Sequence, residues 1–270
     1  MDEKNLLKII VKKLYYFSVR NKIFFKNILF QNKKNQHLFI LSPPYCGSTL
    51  LNEIISSSSN VSCNNNLGNR EGQNLPETYK ILFGEDKWDS NKDIDWKYIH
   101  KVWDKYWDKS KGILLEKSPP NICRAINIEK EFQDAKFICL VRNPYAQAEG
   151  IIRRNNASAK YAAEFALKCL KYQQKNIKEL KQKILISYEE LTKNPEKIKK
   201  EIIEFIPEIS NINTSMNFSA HNLRGDSAMP ITNLNKEKIA KIKKEDLNII
   251  NSIFKKEESV LNYFRYEIIE

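Results

Sequence analysis

The chain has 270 residues and a formal net charge of +12, long enough for one large α/β domain with a sizeable core. Residues 1–36 carry nine Lys/Arg against two Asp/Glu, a net +7, which leaves only +5 for the other 234. That mild excess suits anionic ligands, and no interleaving of aromatics with arginines marks a nucleic-acid reader, so nucleic acid is excluded as a partner.

The N-terminal segment, 1–36, sets Leu6, Leu7, Ile10, Leu14 and Phe17 against Lys8, Lys12 and Lys13. Cations interrupt every apolar run well short of the roughly 18 residues a membrane span needs, and no small-residue cleavage site follows. The pattern predicts a basic amphipathic helix. It either rests on an anionic membrane surface, as a peripheral contact, or packs on the domain with a solvated Lys face. Five cysteines (Cys46, Cys63, Cys123, Cys139, Cys169) show no C-x-x-C spacing and no His cluster. This argues against metal and disulfide frameworks and fits a reducing cytoplasm.

From residue 37 to 270 the chain reads as one α/β domain. Apolar runs at 37–42, 112–116, 136–142 and 183–188 are continuous rather than alternating, which predicts a parallel sheet with helices on both faces. Helices are expected over 48–58, 125–133, 146–153, 157–180, 195–205, 236–243 and 245–262. Between the first two strands lies a polar insertion, 59–111, which holds all four tryptophans. Trp103, Tyr106 and Trp107 follow helical spacing, so a helical cap over the sheet edge is expected, lining an acceptor pocket or packing onto the sheet.

Four motifs sit where predicted strands end. After the first, Pro43-Pro44-Tyr45-Cys46-Gly47-Ser48-Thr49 leads into a helix, the layout in which loop N–H groups and a helix N-terminus hold a phosphate. A nucleotide-hydrolase loop would carry Lys after its final Gly, and here Ser48 follows Gly47. The second motif is Glu116-Lys117-Ser118-Pro119-Pro120-Asn121. In open parallel sheets ligands bind beyond the carboxyl ends of the strands, so Lys117 should face the same crevice. The third, Leu140-Val141-Arg142-Asn143-Pro144-Tyr145, ends a strand on an Arg able to fork onto a phosphate. The fourth, Ile186-Ser187-Tyr188-Glu189-Glu190-Leu191 followed by Asn194-Pro195-Glu196, reads by itself as a turn into an acidic helix start.

In this order the four motifs resemble the sulfotransferases that use 3′-phosphoadenosine 5′-phosphosulfate (PAPS). The family's P-[KR]-S-G-T-[TS] loop is similar to Pro44–Thr49, its strand-end Arg to Arg142, its E-K-[ST]-P-x-N to Glu116–Asn121 and its Y-E-x-L…N-P-E to Tyr188–Glu196. Asn262-Tyr263-Phe264-Arg265-Tyr266 looks like the family's closing helix and aromatic tail. The resemblance implies a P-loop-type parallel sheet and transfer of a sulfuryl group from PAPS, without a metal, to a hydroxyl or amine of a carbohydrate, lipid or other small acceptor. It implies a donor site at Tyr45, Cys46, Gly47, Ser48, Thr49, Arg142 and Gly150, closed by a loop containing Arg224 and Gly225. Two positions depart from the family. Tyr45 stands where its loop has Lys or Arg, and Gly150 stands where it has a Ser eight residues after the Arg. Lys117 is the expected replacement cation, and Glu71 the expected base, with Glu77 and His100 as rivals. The alternatives are a non-catalytic nucleotide- or glycan-binding relative, for which Tyr45 and Gly150 speak, and a P-loop kinase.

Overall fold

In the computed structural model, which describes residues 3–30, 34–209, 211–215, 217 and 230–270, the chain opens with α1 (Glu3–Ile28), β1 (Gln36–Leu41), α2 (Ser48–Ser56) and β2 (Val61–Cys63). Then come α3 (Tyr79–Leu82), α4 (Trp96–Asp104), β3 (Ile113–Glu116), α5 (Ala125–Glu131), β4 (Lys136–Val141) and α6 (Pro144–Asn155). The remainder is α7 (Ala159–Glu179), β5 (Lys183–Ser187), α8 (Tyr188–Lys193), α9 (Pro195–Phe205), α10 (Asn235–Ile239), α11 (Lys244–Phe254) and α12 (Glu258–Tyr263).

The five strands form one sheet in the order β2-β3-β1-β4-β5, and every pairing is parallel. Register is set by pairs such as Phe39 with Glu116, Ile40 with Ile138 and Val141 with Ser187. Leu38, Phe39, Ile40 and Leu41 are all fully buried, because β1 is the middle strand and helices cover both its faces. On one face Leu51, Ile54 and Ile55 of α2 pack with Ile138, Ile186 and the apolar side of α9. On the other, Phe39 and Phe137 meet the tryptophans of the insertion, and α6, α7, α11 and α12 form a further cluster around Tyr145 and Phe254.

From β1 the chain crosses to one side of the sheet, and from β4 to the other. The connections that leave these two neighbours therefore diverge, which opens the crevice in which such sheets bind ligands. Gln173 of α7, fully buried, donates its amide to the carbonyls of Leu41 (2.7 Å) and Leu140 (2.9 Å), satisfying both strand ends beneath that crevice.

Two expectations change. β2 is a fifth strand within the polar 59–111 segment, only three residues long at the sheet edge. The predicted 245–262 helix breaks into α11, a 3₁₀ turn over Lys255–Glu257, and α12. Of the two readings of the cap's helically spaced aromatics, packing is the one seen for Trp103, Tyr106 and Trp107, which belong to the core. Trp103 and Trp107 are fully buried, pack against Phe132, and the Trp107 indole donates to the Leu115 carbonyl at 3.0 Å. α1 packs on the same segment through Tyr16, whose hydroxyl donates to Asn65 Oδ1 (3.3 Å), and through ion pairs Arg20–Glu77 (2.8 Å) and Lys26–Asp108 (2.9 Å).

Candidate functional site

Because all five strands run the same way, the loop after β1, Lys117 after β3 and Arg142 after β4 gather at the carboxyl end of the sheet. The loop turns sharply into α2. Gly47 caps that helix in a left-handed conformation (φ 91°) and has no side chain to take up the first helical N–H groups. A Cβ at Gly47 would come within 2.6 Å of the Tyr188 ring, so both the backbone angle and the space demand glycine. Ser48 opens the helix buried and Thr49 half-buried. Cys46 is buried and its thiol is pushed up to about 12 by burial, so its side chain is a neutral packing group.

Arg142 is the organising cation. Asn143 and Pro144 start α6 immediately after it, Asn143 accepting from the Tyr145 N–H, so the guanidinium leaves the strand at a fixed point. Its Nη1 donates to the Tyr45 carbonyl (2.9 Å), its Nε to Asn235 Oδ1 (2.8 Å), and its plane lies 3.8 Å from the Tyr188 ring centroid. Its Nη2 is buried, Arg142 being only 4% exposed, and has no hydrogen-bond partner among the described residues. A buried guanidinium N–H left unmade is costly unless a ligand completes it. The fourth motif, punctuation on its own reading, is the support for this group. Tyr188 carries both Gly47 and Arg142, while Glu189 Oε1 accepts from the Asn143 N–H (2.8 Å) and from Asn235, and Glu189 Oε2 from the Tyr266 hydroxyl (3.1 Å).

A second cation stands beside it that sequence reading passed over. Lys238 of α10 lies 3.7 Å from Glu149, and its amine is lowered to about 8 by burial and by the nearby Arg142. Nothing in the local sequence distinguishes it from the neighbouring lysines; only the packing of α10 on α6 brings it here. Arg153 pairs with the same Glu149 at 2.5 Å. Arg224 and Gly225, expected to close over the donor, lie outside the described residues.

The two departures from the family pattern touch each other. A Cβ built on Gly150 would lie 2.9 Å from Tyr45 Cβ and 3.0 Å from its Cγ, so the Tyr45 side chain occupies the space that a serine at 150 would need. Tyr45 itself has φ 65°, unusual for a non-glycine residue, and its hydroxyl donates to Asn155 Oδ1 at 2.6 Å.

Lys117 and Glu71 meet. Lys117 Nζ, wholly buried, is 3.1 Å from Glu71 Oε1 and donates to the Asn69 carbonyl at 2.7 Å. Glu71 Oε2 accepts from Gln73 (2.5 Å) and Asn74 (3.3 Å). Glu71 is thus a buried, ion-paired carboxylate instead of an exposed loop one. Among the described residues the pair leaves one N–H of the ammonium and one carboxylate lone-pair site unfilled, by the usual inventory of about three donors and four acceptor sites. Neither rival base is so placed. Glu77 is held by Arg20 and by the Tyr106 hydroxyl (2.8 Å). His100 packs with His37 at the opposite, amino end of β1 and pairs with Glu131 at 2.9 Å.

Compared with curated proteins, the chain matches none. Among solved structures it is similar to the sulfotransferase domain of the Synechococcus PCC 7002 olefin synthase, at 20% identity over 88% of this chain and 98% of that one, with a TM-score of 0.53. It is also similar to a sulfotransferase from Alicyclobacillus acidocaldarius (13%, 85% and 95%, TM-score 0.51) and to sulfotransferase STF9 from Mycobacterium avium (12%, 93% and 82%, TM-score 0.54). At these identities the likeness is one of fold. The sequence profile described as the Sulfotransferase family matches residues 37–208, from the start of β1 to just beyond α9 and well over half of the chain. The match takes in the loop, Lys117, Arg142 and the motif around Tyr188, and on it the chain belongs to the sulfotransferase family.

Proposed function

We propose that the protein transfers a sulfuryl group from PAPS to a hydroxyl or amine of a carbohydrate, lipid or other small acceptor. The observation that carries this reading is the buried Arg142 Nη2, without a partner among the described residues, beside a glycine-capped helix start: two anion receptors in one crevice, as a donor with separated 5′ and 3′ phosphates requires. The N–H groups of the loop from Tyr45 to Thr49 and the Ser48 and Thr49 hydroxyls would hold the 5′ end. Arg142, with Lys238 beside it, would hold the 3′ phosphate, and Gly150 leaves that phosphate without the family's serine contact.

The donor supplies the activated sulfur–oxygen bond. In the transfer that bond to the 5′ phosphate breaks as a bond from sulfur to the acceptor atom forms, and the acceptor's proton departs. With Tyr45 in place of the loop cation, the free N–H of Lys117 meets the charge growing on the leaving oxygen. The remaining lone-pair site of Glu71 takes the proton, a contribution of about 10²–10⁴ in rate for a positioned base.

The test uses sulfur-labelled PAPS with pooled hydroxyl and amine acceptors. The wild type should label at least one pool, and Glu71→Gln should slow that labelling by about 10²-fold or more. No labelled product from any pool, in a protein that still binds the desulfated donor, would favour the non-catalytic relative instead.

A further inference from the structure

One face of α1 faces no part of the described protein. At about 100° per residue, Tyr16, Arg20 and Asn27 point to the 59–111 segment, where Asn27 donates to the Trp107 carbonyl at 2.9 Å. The opposite face carries Leu7, Leu14, Phe17, Phe24, Phe25 and Ile28 at three-, four- and seven-residue spacing, with exposures between 47% for Ile28 and 69% for Phe25. Isolated exposed apolar side chains are ordinary, whereas a continuous stripe along a helix of about 39 Å marks an interaction surface. Exposed Lys13 and Lys22 border the stripe on either side. Among the described residues no helix is long and apolar enough to cross a membrane.

We infer that α1 docks the protein on an anionic membrane surface, lying in the headgroup plane with this stripe inserted and its flanking lysines on the lipid charges. Charge selects this occupant. The N-terminal 36 residues carry a net +7, which an anionic surface neutralises, while a second copy of the helix would set the same cations against one another. Because Tyr16, Arg20 and Lys26 fasten α1 to the 59–111 segment, docking would hold the enzyme body directly against the surface rather than on a tether.

The test is sedimentation of the full chain with phosphatidylcholine vesicles prepared with or without phosphatidylserine. Binding is expected only with phosphatidylserine, weakening as salt is raised. It should fall about tenfold or more in Phe24→Ser/Phe25→Ser and in Lys13→Glu/Lys22→Glu, the second leaving every residue of the apolar stripe in place. Urea midpoints of both variants, at these exposed sites, should match wild type. Equal binding to neutral vesicles, no binding to either, or light scattering that shows a dimer made monomeric by the phenylalanine changes would overturn the proposal.

Discussion

Restoring the family's serine at position 150 should harm this protein, and the reason is Tyr45. In Gly150→Ser the new Cβ would sit 2.9 Å from Tyr45 Cβ and 3.0 Å from Cγ, inside ordinary contact distance and against atoms near the backbone that cannot swing away. Overpacking of this kind costs about 1–3 kcal/mol, offset by about 0.5 kcal/mol from replacing a glycine inside a helix. The net loss is therefore about 0.5–2.5 kcal/mol. Tyr45→Gly removes the obstacle altogether and suits the φ of 65°, while giving up the hydrogen bond to Asn155. In that background Gly150→Ser should cost nothing or stabilise slightly. Urea unfolding of the four proteins measures the coupling, expected at about 1–3 kcal/mol. Single effects that add to within about 0.3 kcal/mol would show that the two side chains do not exclude each other.

Three further outcomes follow. Gly47→Ala should destabilise by about 2 kcal/mol or more, since it meets the Tyr188 ring at 2.6 Å with φ at 91°; a urea midpoint equal to wild type would refute the tight turn. His37, packed among His100, Trp107 and Phe132, is lowered to about 4 by burial. Its unfolded form binds a proton below about 6.5 while the folded form does not. Its contribution is therefore present above about 6.5 and lost as pH falls toward 4, so the stability difference between wild type and His37→Phe should shift against wild type across that window. Lys238, lowered to about 8, should take up a proton when an anion binds beside it. Calorimetry at a pH just above 8 in buffers of different ionisation enthalpy should show that uptake, and Lys238→Met should abolish it.

The strand ends were readable because a central parallel strand must be apolar throughout: Leu38 to Leu41 left no other reading, and each of the four predicted runs ends within a residue or two of its strand. β2 was not, since three edge residues among asparagines need little hydrophobic signal of their own. Periodicity placed Trp103 and Trp107 on a helix-like face but could not say whether that face met a ligand or Phe132. The motifs pointed to Arg142 and Lys117. What they could not convey was pairing between distant segments: Glu71 held against Lys117, Tyr188 beneath Gly47 and Arg142, Tyr45 filling the place beside Gly150, and Lys238 brought in by α10.

A donor site built on Arg142 should bind 3′,5′-adenosine bisphosphate, the desulfated donor, and calorimetric titration with that nucleotide measures it. Binding in the micromolar range, stronger than that of 5′-AMP or ATP and lost in Arg142→Ala with the fold retained, is the predicted result. Equal affinity for 3′,5′-adenosine bisphosphate and 5′-AMP, or undiminished binding by the variant, would contradict it.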